Sequence, residues 1–327
     1  MATFTDRFRS NFNSVLTTSA DILWRDDAGD YVLWLMINNG ANLIVPLPHV
    51  PPDWHFKAAA NFDAVSTGNA DILWQNDNGA LALWHMEGST VSGIHALPNP
   101  GSAWHVVGDN DFNGDFGDDI LFQHDNGSLA IWTITSSEPP TISGIFAGTQ
   151  NPGPTWHVVG TGDIGNLDPI DGLRAGILWQ NDNGALVIWE NPIFSAGTFT
   201  FTTVAALPKV DASWHVKGMQ DISGNSSGAD IVFQNDNGAV AVWEMGGFGT
   251  TINAVNLINL NPGPAWHIVG MREMDGDTKI DILFQNDNGA AAVWEDYQSL
   301  GGGVATFDHV LPIGPNPNPN GLVWELL

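Results

Sequence analysis

One phrase recurs six times along this chain and restricts its fold more than any other feature. Asp-Ile-Leu-Trp-Gln-Asn-Asp-Asn-Gly begins at Asp71, with close copies at Asp119, Asp230 and Asp281. A weaker copy begins at Asp21, and another at Gly176, where glycine replaces the aspartate. A tryptophan follows the glycine of each copy: Trp34, Trp84, Trp132, Trp189, Trp243 and Trp294. A second phrase, Trp-His-Val-Val-Gly or a relative, begins at Trp54, Trp104, Trp156, Trp214 and Trp266, and Trp324 follows a similar Pro/Asn/Gly connector. Trp24, Trp74 and Trp179 form a third column, completed by Phe122, Phe233 and Phe284. These columns hold all 15 tryptophans, so the residues recur for a repeated core and not for a single site.

Within one unit the segment from Asp71 to Gln75 alternates and is rich in apolar and aromatic residues, which predicts a strand. Asp77-Asn78-Gly79 predicts a hairpin turn of type I′. Strands are expected over Leu81 to Trp84, Val91 to Leu97 and, after a Pro/Gly connector, Trp104 to Gly108. Four short antiparallel strands repeated six times predict an all-β chain, a six-bladed β-propeller of four-stranded antiparallel blades forming one domain over 1–327. The tryptophan columns are expected to wedge blade against blade. The first unit lacks a Trp-His strand upstream of Asp21, having only Phe8 to Asn13 there. The C-terminal strand Trp324 to Leu326 is therefore expected to complete the first blade, tying the two ends together.

Nine Lys and Arg against 36 Asp and Glu give a formal charge of −27. Nucleic acid and anionic membrane surfaces both require basic patches, so neither is an expected partner. Such acidity fits a solvated surface or cation binding. No cysteine is present, which removes disulfides, thiolate metal sites and cysteine nucleophiles together. No apolar run is long enough for a membrane-spanning helix, so no membrane insertion is expected. Met1 to Arg9 contains no apolar stretch resembling a secretory signal. An extracellular, secreted location is expected without a recognisable N-terminal signal, with a cytoplasmic one left open.

The phrases resemble FG-GAP/VCBS-type bacterial propeller repeats over nearly the whole chain. The resemblance is carried by Trp-His-Val-Val-Gly, by Asp111-Phe112-Asn113-Gly114-Asp115 leading to Asp119, by Ile120-Leu121-Phe122-Gln123, and by the Asp125-Asn126-Gly127 turn. It implies a propeller with calcium-binding loops, of a kind used in adhesion and carbohydrate binding. In the third unit the loop offers Asp111, Asn113, Asp115 and Asp119. Alternating oxygen donors around a glycine suit a hard cation that takes six to eight oxygens, and the same spacing also suits a metal-free turn. The sixth unit offers Glu273, Asp275, Asp277 and Asp281. The remaining loops are degraded: Asp221, Ser223, Asn225 and Asp230 run one residue long, and Asp163 to Gly176 is expanded.

Two amide columns follow the aromatic one: Gln75, Gln123, Gln180, Gln234 and Gln285, then Asn76, Asn181, Asn235 and Asn286. Amides beside rings such as Trp74 and Trp84 are what a sugar site uses, and also what buried backbone uses at a blade edge. His55, His105, His157, His215 and His267 occupy five equivalent positions, without the clustered second ligand that zinc demands. No nucleophile elbow, phosphate loop or His-Glu-x-x-His is present, and the departures at Leu167 to Arg174 and Asn191 to Thr202 hold no catalytic set. The expectation is a non-enzymatic, calcium-stabilised, multivalent lectin-like protein whose partners are glycans or other cell-surface ligands. The alternative is a protein-interaction or adhesion scaffold without sugar binding.

Overall fold

The fold is taken from a computed structural model that describes residues 12, 20–26, 28–37, 40–62, 70–115, 117–135, 140–162, 164, 174–224, 228–246, 249–277, 279–313 and 324–326. These contain strands, turns and no helix. The first unit comprises β1 (Ile22–Asp26), β2 (Tyr31–Ile37) and β3 (Gly40–Pro46). The second comprises β4 (Trp54–Ala60), β5 (Asp71–Asn76), β6 (Leu81–Glu87) and β7 (Thr90–Leu97). The third comprises β8 (Trp104–Asn110), β9 (Asp119–His124), β10 (Leu129–Ile134) and β11 (Ile142–Gly148). The fourth comprises β12 (Trp156–Gly162), β13 (Gly176–Asn181), β14 (Leu186–Ser195) and β15 (Thr198–Leu207). The fifth comprises β16 (Trp214–Gln220), β17 (Asp230–Asn235), β18 (Val240–Gly246) and β19 (Thr251–Ile258). The sixth comprises β20 (Trp266–Arg272), β21 (Asp281–Asn286), β22 (Ala291–Gly301) and β23 (Val304–Pro312), followed by β24 (Trp324–Leu326).

Each unit is an antiparallel meander, and β24 pairs with β1 so that the chain end supplies the first unit's fourth strand. The sheets, however, are not six separate four-stranded blades. Two sheets have four strands and two have eight. The strands β15 and β23 belong to hairpins longer than their counterparts, and their N-terminal ends pair in parallel with the preceding units' outer strands. Ala147 and Gly148 meet Thr198 and Phe199, and Leu257 and Ile258 meet Val304 and Ala305. Phe194, Phe199 and Phe201 pack against one another and against Phe146 and Trp189, which explains why this hairpin leans onto the third unit. At the opposite ends of these eight-stranded sheets, β8 lies beside β12 and β16 beside β20, so each sheet nearly closes on itself. The segment Asn191 to Thr202, a departure in sequence, is this strand-pairing hairpin; most of Leu167 to Arg174 falls outside the described residues.

Six apolar clusters hold the units together, and each is shared by two successive units. One joins Leu283 and Val293 of the sixth unit to Trp24 and Trp34 of the first, so the units make a cyclic series of contacts. Two aromatic columns pair inside each unit, at centroid separations from 4.5 Å for Phe284–Trp294 to 5.2 Å for Trp24–Trp34. The tilted geometry is one that aromatic quadrupoles favour. These rings are therefore stacked first on a partner of their own unit, and they reach neighbours as pairs: Trp74, stacked on Trp84, also meets Tyr31 edge-on at 4.8 Å.

The repeated turn differs from type I′. Gly79 N–H bonds to the Asn76 carbonyl at 2.8 Å, and within the turn only Gly79 has positive φ, 89°. A type I′ turn needs positive φ at two residues, so this is the longer loop with one left-handed glycine. A Cβ on Gly79 would lie 2.3 Å from the Gly101 carbonyl carbon, a second reason for glycine.

Candidate functional site

The glutamine column spans unit boundaries. Gln75 Nε2 donates to the Trp104 carbonyl at 2.7 Å, and its Oε1 accepts from the Val106 amide at 3.0 Å. Gln180 makes the same pair with Trp214 and Val216, and Gln234 with Trp266 and Ile268. Gln123 donates to Trp156. Each amide thus completes the backbone of the next unit's first strand, where buried peptide groups need partners. Gln285 holds the same position in the sixth unit. Arg25 takes the place in the first, its guanidinium carbon 6.0 Å from the Tyr31 ring centroid.

The asparagine column belongs to the turn. Asn76, Asn181, Asn235 and Asn286 each accept an amide N–H from two residues ahead through Oδ1, at 3.1 Å. Three of them also donate through Nδ2 to the preceding connector: Asn76 to Asp53, Asn181 to Thr155 and Asn235 to Ser213. Trp74 and Trp84 are 1% and 6% exposed, so neither presents a ring face for stacking on a ligand.

The exposed recurring group is the histidine column, for which the sequence offered no clustered second ligand. His55 Nε2 lies 2.7 Å from Asp77 Oδ1, and His105, His157, His215 and His267 pair likewise with Asp125, Asp182, Asp236 and Asp287 at 2.7–2.8 Å. The acidic partner is the first residue of the turn; the recurrence of both residues in five units was the available signal, although their separation varies from 20 to 25 residues. Between the second and third units these groups border a cleft of about 100 Å³, lined by His55, Asp77, Trp104 and His105 among others. The Trp54 column, unlike Trp74 and Trp84, is only partly buried.

The aspartate opening each repeat phrase is buried and accepts backbone N–H groups from distant parts of its own unit. Asp21 accepts from Phe12 and Met36, Asp119 from Phe112, Asn113 and Ile134, and Asp230 from Ser223 and Met245. Asp71 accepts from Met86, and Asp281 from Met274. At Gly176 an added Cβ would lie 2.8 Å from Ile164 Cδ1, so apolar packing replaces the carboxylate there.

Two of these aspartates end the predicted cation loops. In the third unit Asp111 Oδ1 accepts from the Gly114 and Asp115 amides. Asn113 Nδ2 donates to both Asp115, at 3.0 Å, and Asp119, at 3.3 Å, so an amide bridges the carboxylates. Burial, then Asp115 and Asp111, push the Asp119 carboxyl up to about 9. In the sixth unit Glu273, Asp275 and Asp281 bring ligand oxygens within 4.8 Å of one another. A second group of Asp275, Asp277 and Asp296 does the same, and Asp296 comes from β22, outside the loop searched in sequence. Lys279 bonds to Asp296 and lies 3.4 Å from Asp277, already placing a cation on that second group. Burial, with Asp275, Glu295 and Asp277, pushes the Asp281 carboxyl up to about 8. These acidic clusters could hold a metal ion. Part of the loops at Asp163 and Asn225 falls outside the described residues.

No protein-family model matches this chain, and no curated protein matches it in sequence.

Proposed function

We propose that the six meanders are the blades of a six-bladed β-propeller of the FG-GAP/VCBS type, and that the protein is a multivalent, non-enzymatic glycan-binding module. The cyclic sequence of shared cores supports the propeller. The observation that carries the binding reading is the fivefold exposed His–Asp pair beside a partly buried tryptophan, which between the second and third units borders a cleft. A carboxylate and an imidazole at hydrogen-bond distance offer acceptors and donors to adjacent hydroxyls, and the indole edge offers an apolar surface. Similar weak sites repeated around one body gain affinity by avidity.

Calcium is the fitting ion for the sixth unit, where Glu273, Asp275 and Asp281 supply hard oxygen donors within reach of one another. It would brace the loop rather than touch a glycan. Use outside the cell, where calcium is abundant, follows from this reading. The test is a glycan array probed with the intact chain, with and without Ca²⁺. Binding that weakens in H105A and H157A supports the proposal; no binder under either condition overturns it.

A second reading, a protein-interaction scaffold, is favoured by a different observation. Ile44, Ile94, Ile145, Val204, Val255 and Val310, on the outer strands, stand opposite the six recurring tryptophans, and all are about half exposed. Capture of a protein partner that excess free sugar does not displace would favour it.

A further inference from the structure

A cavity of about 310 Å³ is lined by the first strands of the units, β4, β8, β12, β16 and β20, together with Ile22 and Leu23 of β1. That volume is close to the lower bound, about 300 Å³, for small-molecule pockets. Three of the chain's nine cationic side chains line it: Lys57, Lys217 and Arg272. Such a concentration in a chain of formal charge −27 calls for a physical reason.

Three carboxylates line the same cavity, and each is engaged differently. Asp21 accepts the Phe12 and Met36 amides, and Asp118 accepts the Asn61 amide at 2.7 Å. Asp109 is raised to about 6 by burial and is attracted by Arg272. Among the described residues the only lysine in an ion pair is Lys279, which lies elsewhere. Lys57 and Lys217 therefore have no ion-paired carboxylate. Burial lowers the pKa of both, and only Lys217 has a counteracting acid, Asp236, which is itself bonded to His215. The two lysines occupy the same place in their strands, three residues after the tryptophan, where β4 and β16 each carry a bulge. A bulge re-aims the extra residue, here into the cavity wall. Equivalent positions elsewhere carry valines, Val107, Val159 and Val269.

We propose that this cavity binds a small oxyanion, a carboxylate or phosphate no larger than a monosaccharide derivative, between Lys57 and Lys217. Arg272 lines the same cavity, where its charge acts on Asp109. The acidic exterior does not prevent entry, because at physiological ionic strength its field decays over about 8 Å. The proposal rests on the cavity lining; because Lys57 also borders the His55–Asp77 cleft and Lys217 does not, K217Q alone distinguishes anion binding here from glycan binding there.

The test is calorimetric titration of the full chain at constant ionic strength with inorganic phosphate, sodium glucuronate and, as a neutral control, glucose. Phosphate, glucuronate or both should bind, and K57Q/K217Q should weaken that binding by about tenfold or more, the size expected for losing charge-assisted hydrogen bonds. Phosphate alone would identify an inorganic or phosphoryl ligand; glucuronate alone would identify a sugar acid. D109N, which removes the cavity's competing carboxylate, should tighten binding and serves if the double variant does not fold. Absence of any anion binding to the wild type overturns the proposal. Equal affinity in wild type and a folded K57Q/K217Q, equal binding of glucose, or unchanged binding in D109N would each overturn it as well.

Discussion

Replacing Gln75 by leucine separates a structural amide from a ligand-binding one. The side chain is 4% exposed and joins β5 to β8 through two hydrogen bonds. Leucine has similar bulk and no polar group, so Trp104 C=O and Val106 N–H lose their side-chain partner at a buried unit boundary. Leaving one such group unsatisfied costs about 1–3 kcal/mol, and with partial relaxation the pair together costs about 3 kcal/mol. An unfolding entropy of about 2.1 cal/mol/K per residue, taken over 327 residues, is about 0.7 kcal/mol/K. The melting temperature should then fall by about 4 °C if the chain unfolds as one unit. Calorimetry measures this, and hydrogen exchange at the Val106 amide should accelerate more than at Ile72. Glycan affinity per folded molecule should be unchanged. A variant that melts like the wild type, with Val106 still protected, would refute the assignment of the column to inter-unit bonding.

Three further outcomes follow from the same structure. Removing residues 321–327 deletes β24 and exposes β1 as an edge; the melting temperature should drop by several degrees, and an unchanged thermogram would contradict the closure. Trp74→Phe should cost less than about 2 kcal/mol in denaturant titration, because Phe122, Phe233 and Phe284 serve at that position and the buried Trp74 Nε1 has no hydrogen-bond partner; a larger loss would mean that the indole fills space phenylalanine cannot. Asp119 titrates near 9 in the fold against the ordinary carboxylate value of 3.8, so the unfolded chain loses its proton first and this group's contribution to stability falls as pH rises between those values. In chelator-treated protein the melting temperature should decline across that window, Asp119→Asn should flatten the decline, and Ca²⁺ should restore stability most at the alkaline end; a variant with the wild-type slope would refute the linkage.

The strands were legible because each repeat phrase carries its own period and punctuation. Asp71–Asn76 is a short run with a continuous apolar centre, buried throughout, Gly79 ends the turn, and a proline-rich connector separates it from Trp104. The role of each column was less legible. Gln75 reads equally well as a sugar ligand or as a partner for backbone, and only the approach of β8 decides between them. Asp119 looked like one ligand among four, yet it accepts three backbone amides, one from Ile134 fifteen residues ahead. Asp296 joins the acidic group of the sixth unit from a different strand, so no spacing within the loop could reveal it.

By itself the sequence determined an all-β chain of six similar units, the order of strands in each, and the pairing of the C-terminal strand with the first unit. These depend on short apolar runs, turn chemistry and a missing phrase, all written along the chain. Tertiary structure alone decided that β15 and β23 extend onto neighbours to merge units into eight-stranded sheets. It also decided that the amides bind backbone and not solvent, and that Lys57 and Lys217 line one cavity although 160 residues separate them. The physical reason is that a repeat constrains contacts within a unit, whereas burial and charge at a boundary depend on which units the cyclic packing brings together.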